Sequence, residues 1–190
     1  DGTVITVEEG RLFMNRNLGG QSEEIIVTIS DDTKVLDGVN GYPIPLENLG
    51  TGEAVRVYAG PAMTMSLPAI TNGIVVIADV PADAAFPVYT TVKSLVQNPV
   101  TADGNGGDYV LTITDGNSYK INSSTTLLPY LTRNIVTEAD LTPGTPILMW
   151  LWTADGSAPF PEKIVVFQGE NGYGGGEIQT ADIPSGWQET

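Results

Sequence analysis

Val27-Thr28-Ile29-Ser30-Asp31 and Leu111-Thr112-Ile113-Thr114-Asp115 read as one strand written twice. Leu49-Gly50-Thr51-Gly52-Glu53-Ala54-Val55-Arg56-Val57 reads the same way against Leu141-Thr142-Pro143-Gly144-Thr145-Pro146-Ile147-Leu148-Met149. Ile74-Val75-Val76-Ile77 reads against Ile164-Val165-Val166-Phe167. The three matches keep their order, at offsets of 84, 92 and 90 residues, and loop insertions would account for the drift. The first matched stretch alternates apolar and polar residues, the period of a half-buried strand, and the last is a short apolar run of the kind a buried strand makes. The chain is therefore expected to be all-β and internally duplicated.

Around these anchors the alternation predicts five strands per copy. In the first they are Thr3–Val7, Leu12–Met14, Glu24–Ser30, Ala54–Tyr58 and Gly73–Ala78. In the second they are Val88–Val92 with a weaker Ser94–Gln97, then Asp108–Thr114, Pro146–Trp152 and Lys163–Gln168. Asp-Gly and Asn-Gly pairs, such as Asp37-Gly38, Asn40-Gly41 and Asp155-Gly156, mark turns between them. Pro45–Leu49 and Thr137–Leu141 each read as one helical turn, the second with a Thr-x-x-Asp cap pattern. Strands with a short helix between the third and fourth follow the order of an OB-like Greek-key barrel. The expectation is two tandem OB-like barrels, or small β-sandwiches, over residues 1–85 and 86–168. A glycine-rich linker and extended C-terminal tail follow over 169–190.

The 190 residues carry a net charge of −15, with no cysteine and no histidine. A phosphate backbone would repel such a chain, so nucleic acid is not an expected partner. No run of about 20 apolar residues is present, so membrane insertion is not expected either. Without Cys or His there is no thiol nucleophile, no Ser-His-Asp triad and no ordinary zinc or copper site. Paired carboxylates such as Glu8-Glu9, Glu23-Glu24 and Asp31-Asp32 point to opposite faces of a strand, so they do not converge by themselves. A hydrolase built on two carboxylates is the least favoured function, and the chain is not expected to be an enzyme.

Val55–Pro68 (VRVYAGPAMTMSLP), Phe86–Tyr89 and Leu128–Thr137 (LPYLTRNIVT) resemble segments of a tandem β region in secreted clostridial and related Firmicutes surface proteins. In those proteins the region often accompanies a domain similar to the copper amine oxidase N-terminal stalk. The resemblance spans roughly residues 2–168 and implies export and a surface role, without catalytic residues. Copper does not carry over, because the stalk domain is missing and no His is present. A chain beginning at Asp1 fits a secreted protein trimmed of its signal peptide, which places it outside the cell or at its surface.

Three groups of residues are candidates for binding. Asp103, Asn105 and Asp108 share a glycine-rich loop with oxygen donors of the kind calcium takes, although a plain hairpin loop explains the same residues. Trp150 and Trp152, two apart on one strand, share a face, and Tyr58 aligns with Trp150. They are either core filling or a platform on which carbohydrate stacks. Ile178, Ile183 and Trp187 are spaced along the tail as anchors for docking in a groove, of this chain or a neighbour. The leading expectation is an extracellular structural protein, a self-assembling filament or surface-layer-type subunit that exchanges a tail or strand with its neighbours. The alternative is a cell-surface module that binds carbohydrate. No cofactor is expected unless calcium binds.

Overall fold

The computed structural model describes residues 1–104 and 106–168, and these form two compact units, the first ending at Phe86. The first unit contains β1 (Gly2–Glu8), β2 (Arg11–Leu18), β3 (Gln21–Thr28), β4 (Lys34–Asp37), β5 (Ala54–Met63) and β6 (Ala69–Ala78). A short 3₁₀ helix, Leu46–Asn48, lies between β4 and β5. The strand order is β3-β2-β1-β5-β6-β4, and a parallel pairing of β3 with β6 closes five of these strands into a barrel. Inside lie Val4, Leu12, Met14, Ile25, Val27, Val55, Val76 and Ala78. Alternation put them there, since every second residue of a strand faces the same side.

The second unit contains β7 (Val88–Gln97), β8 (Tyr109–Ile113), β9 (Ser118–Ile121), β10 (Thr126–Pro129), β11 (Pro146–Trp152) and β12 (Phe160–Val166). A second 3₁₀ helix, Glu138–Asp140, precedes β11. The order β9-β8-β7-β11-β12-β10 repeats that of the first unit, strand for strand. Its core is Val92, Leu111, Ile113, Ile121, Leu141, Ile147, Met149, Ile164 and Val166. The duplication is thus visible in the topology, with six strands per copy rather than five.

Strand pairing corrects the register of that duplication. Val57 pairs with Val76, and Met149 pairs with Ile164. With Val57 and Met149 equivalent, Val76 corresponds to Ile164 and not to Val166, so the offset of 90 is two residues out. The Leu111–Asp115 match fails altogether, because Leu111–Ile113 belongs to the second strand of its unit and Val27 to the third of its own. Both segments are amphipathic strands running into an Asp turn, which makes them alike without making them equivalent.

The bulges are also shared. β1 shifts register between Val4 and Thr6, and β7 between Val92 and Ser94. A bulge inserts one residue, so the inward-facing positions become i and i+3. Val4 with Val7, and Val92 with Leu95, duly pack against their cores. Lys93 occupies the bulge, which is why β7 reads from sequence as two strands.

The closing ladder is what the copies do not share. In the first unit β6 pairs with β3 over Ala69–Asn72 and then with β4 over Val75–Ala78. Gly73 sits at the handover. A Cβ there would lie 2.9 Å from Val27 Cγ1 and 3.3 Å from Ile29 Cδ1 and Thr33 Cγ2. Its carbonyl accepts a hydrogen bond from Thr33 Oγ1 at 2.8 Å. The counterpart of Gly73 is Pro161, since Ala59 pairs with Gly73 and Leu151 with Pro161. Proline has no N–H and cannot accept so close a neighbour. β12 begins at Phe160, and β9 lies near it without forming a ladder. Among the described residues the second sheet therefore remains open, ending at β9 and β10.

Candidate functional site

Trp150 and Trp152 stand on the outer face of β11, because the alternate residues Ile147, Met149 and Leu151 fill the core side. Trp150 is half-buried, with the Lys163 ammonium 3.8 Å from its ring centroid. Cross-strand pairing sets Lys163 opposite Trp150 and Phe160 opposite Trp152. Trp152 is 56 % exposed. Phe160 was not among the sequence candidates. Only the pairing register reveals it, although an aromatic between two prolines was visible. Further along this face, Tyr89, Tyr130 and Phe167 make a closed aromatic cluster, with Tyr89–Phe167 and Tyr130–Phe167 centroids 5.8 and 4.4 Å apart. Burial pushes the Tyr89 phenol up to about 12. Tyr58 occupies the equivalent outward position on β5 of the first unit, half-buried, opposite Val75.

The acidic glycine-rich loop is an insertion in the β7–β8 hairpin. Its counterpart between β1 and β2 is the tight Glu9-Gly10 turn, with both residues at positive φ. Asp103 accepts a short hydrogen bond from Thr101 Oγ1, and Asp108 forms an ion pair with Lys120 at 2.6 Å. Asn105 lies outside the described residues. Among the described residues no three His, Cys, Asp or Glu side chains gather as a metal site would need.

Elsewhere the carboxylates serve the backbone. Asp37 accepts from the N–H groups of Val39, Asn40 and Tyr42 at 2.6–2.9 Å. Glu53 accepts from those of Gly50 and Asp79, each at 2.9 Å. Desolvation, helped by the Glu53 and Asp37 charges, raises the Asp79 carboxyl above its ordinary value. Asp140 accepts from the Thr137 N–H and from Gln168 Nε2, and the Thr137 bond leads in lowering its carboxyl.

Ile178, Ile183 and Trp187 lie outside the described residues. Among the described residues, β9 at the edge of the second sheet shares a ladder with β8 alone. The chain matches no protein-family model, no curated protein and no solved structure. No described helix is long and apolar enough to cross a membrane.

Proposed function

We propose that this chain is an extracellular structural protein whose copies assemble by strand addition. The tail Glu177–Thr190 of one copy, tethered by the glycine-rich segment before it, would lie along the open second sheet of the next, anchored by Ile178, Ile183 and Trp187. The observation that carries this reading is the difference between the two copies. The same strand order closes in the first unit and stays open in the second. An unpaired strand edge presents rows of N–H and C=O groups and templates pairing with another chain. Strand addition uses those groups for affinity and side-chain pockets for register. Repeated head to tail without closure, it produces a filament. The ring β1-β2-β3-β6-β5, with its parallel closing pair, supports an OB-like description of the scaffold. The resemblance to secreted Firmicutes surface proteins supports placing it outside the cell.

The test compares the full chain, the triple variant Ile178→Asp, Ile183→Asp, Trp187→Ala, and the chain ending at residue 168. Light scattering and negative-stain microscopy at high concentration should find filaments or oligomers only for the full chain. A monomeric full chain overturns the reading.

One observation favours carbohydrate binding as a second reading, namely the exposed Trp152 with half-buried Phe160 opposite it in the strand register. Stacking on an indole suits the apolar face of a sugar ring. A glycan array on the wild type and on Trp152→Ala tests it, and no glycan retained by the wild type would remove it.

A further inference from the structure

The β5–β6 hairpin projects an apolar tip from a strongly acidic chain. Met65 and Leu67 are 101 and 92 % exposed, more than any other large apolar residue described. Met63 is exposed below them, and Leu18, at the end of β2, is 62 % exposed. The β2–β3 and β5–β6 hairpins meet where Arg16 Nη2 lies 3.9 Å from Met63 Sδ. Arg16 and Leu18 share a face of β2, so Leu18 continues the same surface toward the tip. Arg16 itself is held by Glu23 at 2.9 Å.

The turn is also stiff. Thr64 N–H donates to the Ile70 carbonyl at 2.9 Å, and Ile70 N–H returns a bond to Thr64 Oγ1 at 2.8 Å. Ser66 Oγ lies 2.6 Å from Thr64 Oγ1 and donates to the Pro68 carbonyl at 2.9 Å. Polar side chains are turned inward onto the backbone, and Met65 and Leu67 outward into solvent. A surface ordered in advance loses little freedom when it binds.

We propose that this tip is a self-association surface that docks on the same tip of a second copy, around a two-fold axis. It shares with the proposed function the premise that copies associate, but it names a different surface. Charge argues for the occupant. The chain carries −15, so most of its surface repels a second copy. Yet no charged residue lies between Arg56 and Asp79, and the one ion pair at the base is neutral overall. Two copies meet here with no carboxylate on the tip itself, and exposed Glu24 on β3, next to the residue that pairs with Ala69, is left at the rim. A two-fold contact needs a self-complementary patch, and a purely apolar one satisfies that condition. Two hairpin tips bury less than the roughly 1,200 Å² of a stable interface, so the contact is weak alone. It gains strength where other contacts already align the copies.

The chain has no cysteine, so Met65→Cys gives a single reporter on the full-length protein. Mild oxidation at high concentration should yield a disulfide-linked dimer, whereas Ile135→Cys, equally exposed in the second unit, should not. In sedimentation velocity the double variant Met65→Asp, Leu67→Asp should weaken association at least tenfold, and Ile135→Asp should leave it unchanged. Trp187→Ala separates the two proposals. Association kept by Trp187→Ala and lost by the tip variant supports this surface and removes the tail. The reverse result overturns the tip. Equal crosslinking of Met65→Cys and Ile135→Cys also overturns it. So does tip-dependent binding to phosphatidylcholine vesicles with no dimer formed, which would make the tip a lipid-facing anchor.

Discussion

Ile164→Ala should unfold the second unit at a much lower temperature while sparing the first. Ile164 is fully buried on β12, in a core separate from that of the first unit. The substitution removes three carbons, about 2.4 kcal/mol at ~0.8 kcal/mol per buried CH₂. The cavity left behind adds to this, for a total of about 3.5 kcal/mol within the ~2–5 range of such truncations. For a unit of this size, each kcal/mol moves the midpoint by roughly 4–8 °C, so the fall should be about 14–28 °C. Val76→Ala is the matched change in the first unit, at the structurally equivalent position. It removes two carbons and should cost about 2–3 kcal/mol there. Tryptophan occurs only at 150, 152 and 187, so in a Trp187→Phe background fluorescence reports the second unit. Amide exchange in the peptide spanning β3 reports the first. Ile164→Ala should move the fluorescence midpoint and leave β3 protection intact, and Val76→Ala should do the opposite. If either variant moves both signals equally, the separation into two cores is refuted.

Gly73→Ala should destabilise the first unit by about 1–3 kcal/mol in urea titration, since its Cβ must displace Val27, Ile29 and Thr33. Asp79→Asn should stabilise slightly at neutral pH, by under ~1 kcal/mol given its exposure. The raised Asp79 carboxyl favours the folded state only when protonated. That gain is complete below its ordinary value of 3.8 and lost as pH rises through the raised folded value, so the advantage of Asn should vanish in melts near pH 3. Asp140→Asn should act in the opposite sense. The lowered carboxyl contributes stability above 3.8 that fades as pH falls through its folded value, so wild type and variant should converge in acid.

The alternating pattern made the strands legible, along with both 3₁₀ turns, but not their partners. Val27–Asp31 and Leu111–Asp115 are nearly the same text in different strands, because a short amphipathic strand carries no label for its neighbour. Lys34–Asp37, Ser118–Ile121 and Thr126–Pro129 are four residues each, too short for a period to stand out. The bulge at Lys93 broke the period of β7 and hid one strand as two. The outward position of Trp150 and Trp152 follows from alternation once Ile147 and Met149 are known to be core. Phe160 beside Trp152, and the inward-bonded polar residues of the Thr64–Pro68 turn, depend on pairing that no local pattern states.

The closing pair of the first barrel also gives that half a pairing step that the described part of the second half lacks. Ile25 must find Ala69 across about half of the unit before the ring is complete, and that loop closure costs entropy. The second unit has no such step and finishes with β10 against β12, between Thr126 and Lys163. Non-local pairing slows folding. Until β6 docks on β3 and β4 around Gly73, the edges of the first half are as bare as those that β9 presents among the described residues of the second.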